Sequence, residues 1–447
     1  MIREKCAFMF FDSKIPRGKL YIKTNWLIKA LLYLPFSRLK RGKTTCLLEE
    51  KLCEYFGLSY CRTLSSCRMS VYLILKSMKL ETGDEVLLTP ITEPDIVNAI
   101  QVLGLKPVFV DMVSEAQNID LKDLESKVTR KSRVLLLTYL CGFVPDMDEI
   151  ITATKKHNLS LIEDITQNYG ATYKRRRVGT FGVASVGSFS LAKTITSLGG
   201  GFVLTDDQKL FLKLNDICSQ SLRPPGKIYL LLHILIAIVV NISTGTPVFQ
   251  CITYYFLRFK LLVELNQKSP ERNLPEDRLL HKLPIGFYFN SLRLRERMPE
   301  AAFTFFVDIQ SRIALKTFFS LEDGINKRRR LASVLTSILE EKVDGVIIYK
   351  SAPVECRDVF WHYAISVPHK IRLDLQSFLL NRGIDTSVYG LRLCSHEPVF
   401  KAYFAETHGA RHIYESTLLL PIHSTYSKKQ MAMVATAIND FFKIKYS

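Results

Sequence analysis

Between residues 86 and 204, short β-branched runs alternate with amphipathic helical stretches, and this alternation leaves few architectures open. The strand-like runs are 86–88, 107–110, 134–137, 160–162, 185–189 and 201–204; helical spacing appears at 70–78, 121–127 and 147–157. Strand and helix in turn imply an α/β fold whose mostly parallel sheet is covered on both faces. A chain of 447 residues has room for a second lobe beside such a sheet. Its texture divides it into a basic amphipathic arm (1–45), a large domain (46–222), an apolar insertion (223–282), a connecting helical segment (283–339) and a small C-terminal α/β domain (340–447).

The arm and the insertion depart from soluble texture. In the arm, Trp26, Leu27, Ile28, Leu31, Leu32, Leu34 and Phe36 are bracketed by Lys23, Lys29, Arg38, Lys40, Arg41 and Lys43. That pattern suits an interfacial helix with snorkelling cations, or equally an arm packed on the body. After the break at Arg223-Pro224-Pro225-Gly226, residues 228–242 are apolar except for His233 and Asn241. This run is shorter than the roughly 20 residues that a spanning helix needs. The turn Thr244-Gly245-Thr246-Pro247 leads to a second apolar and aromatic segment, 248–265, with Tyr254, Tyr255, Phe256, Arg258, Phe259 and Lys260. A re-entrant or leaflet-bound hairpin is one reading, and a buried helical hairpin is the other. A connecting helix is expected over 301–339, with Arg328, Arg329 and Arg330 on a solvated face.

The net charge of +18 favours an anionic partner, but the basic residues are dispersed and no nucleic-acid module is visible. The ten cysteines have neither disulfide-framework nor zinc spacing, so they are expected to be reduced thiols in a chain on the cytoplasmic side, with no metal site.

Two residues carry the chemistry. Leu161-Ile162-Glu163-Asp164 ends a buried run with an acid, where open α/β sheets bind their ligands. Ser188-Phe189-Ser190-Leu191-Ala192-Lys193 ends another with an amine before Gly199-Gly200-Gly201. Desolvation of such a lysine lowers its pKa and frees a nucleophile.

At these positions, and at Thr82-Gly83-Asp84-Glu85, Gly104-Leu105-Lys106-Pro107, Val178-Gly179-Thr180-Phe181-Gly182, Arg297-Met298, Arg382-Gly383-Ile384 and Leu420-Pro421-Ile422-His423, the sequence resembles the DegT-type sugar aminotransferases. The resemblance implies a fold type I transferase dependent on pyridoxal 5'-phosphate, working as a homodimer on an amino-acid donor, glutamate by family habit, and a keto-sugar. It makes Lys193 the covalent anchor and proton shuttle, Asp164 the partner of the ring nitrogen, and Gln167 a neighbour of the phenolic oxygen. Ser188 and the turn Ser66-Cys67-Arg68 become phosphate ligands. Arg295 falls where an asparagine of the partner subunit reaches the phosphate.

Several positions depart from the family pattern. Cys67 replaces a glycine, Arg68 a hydroxyl donor, Glu93 a ring-stacking aromatic and Tyr169 a common histidine. The insertion, flanked by Lys227, Arg258, Lys260 and Lys268, has no counterpart in the soluble members. Together with the arm it is expected to bring residues 223–270 to a membrane surface and a lipid-linked substrate. A non-catalytic, membrane-associated scaffold derived from the same fold is the alternative.

Overall fold

The computed structural model describes residues 14–266, 292–340, 346–349, 351, 355–388 and 390–446. Expectations that fall on 1–13, 267–291 (Lys268 among them) and 345 lie outside the described residues. Seven strands, β1 (Tyr60–Leu64), β2 (Glu85–Leu88), β3 (Lys106–Phe109), β4 (Ser132–Thr138), β5 (Ser160–Asp164), β6 (Ala184–Ser188) and β7 (Gly201–Thr205), form one sheet in the order β1-β7-β6-β5-β4-β2-β3. The pairs from β6 through β3 are parallel, and β7 runs antiparallel to both β1 and β6.

The strand residues divide by parity because successive side chains point to opposite faces. Leu87, Leu135, Leu137, Leu161, Phe202 and Leu204 enter one core layer; Val86, Leu88, Val134, Leu136, Ile162, Val186 and Val203 enter the other. Burial on both faces explains why these strands read as continuous apolar runs. The edge strand β1 falls outside the expected set, since Arg62 interrupts its short pattern. Helices α1 (Thr24–Tyr33), α2 (Lys43–Phe56), α3 (Cys67–Ser77), α4 (Pro94–Val102), α5 (Leu121–Lys127), α6 (Met147–Lys156) and α7 (Gln208–Ser221) belong to the arm and the layers around the sheet.

The insertion begins with α8 (Lys227–Thr244), the one described helix long and apolar enough to cross a membrane by length and composition. One stripe of it, Leu230, Ile234 and Ala237, is buried against Ile22, Leu27, Ala30 and Leu34 of the arm and Leu198, Val307, Ile309 and Ile313 of the body. Asn241 donates to Ile22 O (2.7 Å). The rest faces outward, with Ile228 73% exposed beside Val239 and Ile242. A π-type stretch, Phe249–Thr253, leads into α9 (Tyr254–Asn266). Phe249 and Tyr254 pack with Leu380, and Tyr254 OH donates to Leu380 O (2.7 Å). Phe36, Ile28, Leu32, Ile252, Phe256 and Phe259 continue the exposed apolar strip.

The expected helix over 301–339 is two helices, α10 (Asp308–Phe318) and α11 (Leu321–Glu340). Residues before α10 are drawn out of helical geometry, because Arg223 and Phe305 exchange backbone hydrogen bonds with Phe303 and Arg223. Nor does the arginine run lie on a solvated face: only Arg330 is exposed, and Arg328 is 1% exposed in the core. The small lobe has a three-stranded antiparallel sheet, Ile347–Ile348, Tyr363–Ser366 and Thr417–Leu420. It shares a core with α11, α12 (His369–Asn381) and α13 (Lys428–Tyr446). The arm joins this lobe through Ile15, which bridges to Ile384, and through Tyr426 OH, which donates to Pro16 O (2.5 Å).

Glu163 ties the sheet to the loop that follows it. Fully buried, it accepts from Tyr139 OH (2.6 Å) and from the backbone N–H groups of Gly179 (2.7 Å), Phe181 (2.6 Å) and Gly182 (2.7 Å). Glu163→Ala strands four buried donors and is expected to cost about 3–5 kcal/mol. Urea denaturation followed by fluorescence measures the loss; a change below about 1 kcal/mol contradicts this role.

Candidate active site

Asp164, next to Glu163, points from the opposite face, at the carboxyl end of β5. Its Oδ1 accepts from Thr166 N (3.0 Å). Burial raises its pKa, while the Thr166 hydrogen bonds and the Lys193 charge favour the ionised form. Lys193, in the loop after β6, has Nζ 4.0 Å from the centre of the Trp361 ring. Desolvation lowers its pKa against the opposing pull of Asp164, Cys67, Glu93 and Cys141. The site therefore sets a buried carboxyl group and an amine of lowered pKa in each other's field. Burial pushes the Cys67 thiol well up, so a neutral group lies in the field of both.

Gln167 Oε1 accepts from Cys141 N (2.7 Å). This bond holds the loop after β4, where Cys141 and Gly142 adopt φ of 56° and 99°. A Cβ on Gly142 would lie 2.9 Å from the backbone nitrogens of Phe360 and Trp361, so glycine permits the approach of the 359–362 segment. Trp361 Nε1 then donates to Ala192 O (3.1 Å), beside Lys193. Burial and the charges of Lys193 and Arg328 bring His362 down to about 3, which keeps it neutral.

Ser188 ends β6, and its backbone is latched by Tyr169: Tyr169 OH donates to Ser188 O (2.7 Å) and receives Ser188 N (2.5 Å). Ser66 caps α3, its Oγ accepting from Met69 N (3.2 Å). Gly201 packs beneath this turn so tightly that a Cβ would lie 2.4 Å from Ser66 C and 2.5 Å from Cys67 N. The N-terminus of α3 thus faces the carboxyl ends of β5 and β6, where helix polarity favours an anion.

Arg68 Nη1 lies 3.1 Å from Asp95 Oδ2 and 3.5 Å from Glu93 Oε1. Arg295 forks onto the same Asp95 through Nε (2.5 Å) and Nη2 (3.0 Å), and its backbone is held by Asn98 and Gln101. Burial would raise the Asp95 pKa, but the two arginines hold it below its ordinary value. A cleft lined by Ser66, Arg68, Met69, Asp95, Met298 and Ala302 opens at this end.

The structure thus brings Lys193, Asp164, Cys67 and Glu93 into one electrostatic cluster, with Tyr169 and the Ser188 it latches at its edge. Arg295 is linked to this cluster through Asp95, which it shares with Arg68. Sequence reasoning missed Trp361 and His362. Their one signal in the sequence is an aromatic next to a histidine, Trp361-His362.

These residues fit pyridoxal phosphate. Lys193 supplies the amine and Asp164 the acid for the ring nitrogen, and Gly201 lets the Ser66–Cys67 turn pack where a side chain would collide with its backbone. Ser66, Cys67 and Arg68 at the helix N-terminus, with Ser188, would hold the phosphate.

The sequence model of the DegT/DnrJ/EryC1/StrS aminotransferase family matches residues 29–234 and 304–439, leaving most of the insertion uncovered. The chain is 37% identical over 163 residues to GDP-perosamine synthase of Escherichia coli O157:H7, covering 36% of this chain and 45% of that one. It spans about half the length of the curated relatives that it matches at this level. Helicobacter pylori UDP-4-amino-4,6-dideoxy-N-acetyl-beta-L-altrosamine transaminase is 25% identical over 362 residues, 78% of this chain and 91% of the relative. The crystal structure of the aminotransferase TlmJ from Streptoalloteichus hindustanus superposes with a TM-score of 0.71, covering 97% of this chain and 99% of that one at 18% identity.

Because its Cβ would meet backbone, Gly201→Ala is expected to cost about 2–4 kcal/mol by forcing the Ser66–Cys67 turn away. Wild-type stability in urea denaturation would mean that the turn yields without strain.

Proposed function

Because the chain belongs to the DegT/DnrJ/EryC1/StrS aminotransferase family, we propose that it is a pyridoxal-phosphate-dependent sugar aminotransferase that moves an amino group from an amino acid to a keto-sugar. The observation that carries this reading is the desolvated Lys193 amine held in the field of Asp164. The relatives named for GDP- and UDP-linked amino sugars support a sugar acceptor. Glutamate is the proposed donor, which leaves as the keto acid when the acceptor gains the amine.

When bound, pyridoxal phosphate supplies an electrophilic carbon and a ring that takes up electron density. Lys193, its pKa lowered by burial, is the base that removes the proton from the donor Cα and returns one to the sugar carbon. Asp164 holds the proton on the ring nitrogen, and its own proximity to Lys193 favours its ionised form. Trp361 covers the amine and narrows the access of water to it. The partial neutralisation of Arg68 by Glu93 and Asp95 favours a second reading, a scaffold whose phosphate cradle no longer holds the cofactor.

One experiment separates them. Purified wild-type protein with added cofactor is expected to show an absorbance near the visible edge that borohydride removes, and Lys193→Ala should lack both this band and turnover. Asp164→Asn should keep the bound cofactor and lose at least about 100-fold in rate. Turnover retained by Lys193→Ala refutes the assignment of Lys193, whereas wild type that forms no such band and shows no turnover refutes the enzyme reading.

The substrate is further proposed to be presented at the cytoplasmic surface of an anionic membrane, in lipid-linked form. What supports this is the apolar strip over α1, α8 and α9, in which Phe36 is 84%, Phe256 66% and Phe259 67% exposed. Lys23, Lys29, Lys227, Arg258 and Lys260 lie on the same elements, matching anionic headgroups in charge. The protein is expected to fractionate with membranes as a homodimer, to resist high-salt washing and to need detergent, because hydrophobic insertion is barely screened by ions. Recovery in the soluble fraction without detergent would make the strip a contact between protein surfaces.

A further inference from the structure

Arg328 lies on α11, in the core, and its contacts leave it short of an anion. Nε donates to Val359 O (3.0 Å) and Nη1 to Tyr21 OH (2.9 Å), while Nη2 is buried with no hydrogen-bond partner. Among the described residues no carboxylate lies within ion-pair distance of it. A buried guanidinium without a counter-ion is strongly unfavourable, and the bonds it makes are to neutral oxygens.

A second unpaired donor lies beside it. The His423 ring is 4.4 Å from that of Tyr21, and His423 Nδ1 accepts from Thr425 N (3.2 Å). Burial, Arg328 and Lys19 bring His423 down to about 3, which keeps it neutral; with Nδ1 accepting from Thr425 N and lying 2.9 Å from Thr425 Oγ1, the single proton is assigned to Nε2. Nε2 is also buried without a partner. One small cluster therefore contains two unpaired N–H groups and a permanent positive charge, with Lys19 near enough to depress the histidine.

The cluster is tied to the reacting amine through the 359–362 segment. Val359, whose carbonyl receives Arg328, is two residues before Trp361, whose ring lies against Lys193. His362, in the same segment, feels the charges of both Lys193 and Arg328. We propose that Arg328 and the His423 Nε2–H bind a carboxylate of the amino-acid donor, with Tyr21 fixing the guanidinium. This rests on the aminotransferase reading, which requires an amino acid to be held with its amine near Lys193. The unpartnered Nη2 of Arg328 beside a neutral N–H donor offers one charge-assisted and one neutral hydrogen bond to a carboxylate's two oxygens. Inorganic phosphate could satisfy the same donors, so the test includes it.

Cofactor-loaded wild type, Arg328→Gln and His423→Phe are titrated with glutamate and, separately, with 1-aminopropane, which carries the amine without a carboxylate. The absorbance change of the bound cofactor is the readout. Losing a charge-assisted pair should raise half-saturating glutamate about 10–100-fold in Arg328→Gln and about 3–10-fold in His423→Phe, with 1-aminopropane unchanged. In a parallel calorimetric titration, glutarate is expected to bind wild type and not Arg328→Gln, whereas inorganic phosphate shows no dependence on Arg328. Equal glutamate response in wild type and both variants overturns the inference, as does equal weakening of glutamate and 1-aminopropane, which would mean a purely structural arginine. Phosphate binding that depends on Arg328 without glutarate binding also overturns it. Should Arg328→Gln fail to fold by thermal denaturation, His423→Phe decides alone. Wild type that responds to 1-aminopropane but not to glutamate refutes the donor assignment and leaves the Lys193 assignment standing; no response to either amine refutes the enzyme reading itself.

Discussion

An amine in the loop after β6 and a carboxylate at the end of the neighbouring parallel strand β5, both kept from water, are the constraint around which the rest of the chain is arranged. Neither charge is cheap to bury, and each is made tolerable by the other. That requires β5 and β6 to be held in fixed register, which Glu163 secures by gathering the 179–182 backbone beneath the sheet. Gln167 and Tyr169 extend the same discipline outward. One immobilises the loop after β4, and the other immobilises the last residue of β6.

At the far end of the site the electrostatics differ in kind. Arg68 and Arg295 share Asp95, with Glu93 completing a group of two cations and two anions. The positive charge offered to a phosphate is therefore moderated rather than concentrated. Recognition there leans on the N-terminus of α3 and on backbone brought close by Gly201. The replacement of a small hydroxyl residue by Arg68 thus comes with its own acidic partners, Glu93 among them at the place of an expected aromatic.

Much of this was legible in the sequence because the large domain obeys simple periodicities. Strands buried on both faces read as unbroken apolar runs, and the acid and amine that close them, Asp164 and Lys193, stand out by contrast. What escaped depended on contacts distant along the chain. β1 is too short and too polar at Arg62 to be seen without its pairing to β7. The helix expected from 301 starts only at Asp308 because residues 303–305 find backbone partners at Arg223. Arg328 looks like any exposed cation until Val359 and Tyr21, each more than 30 residues away, enclose it. Trp361 gains its meaning only when Gly142 lets its backbone in.

The arm and the insertion each touch both lobes. The arm bridges to Ile384 in the small lobe and lies with Val307 and Ile313 of the body; α8 is fastened to the body, while Tyr254 is fastened to the small lobe. Two straps therefore span the joint on which a two-lobed enzyme would ordinarily hinge. Any relative motion of the lobes would have to slide or bend α8 and α9 against the arm, and the outward apolar strip would move with them.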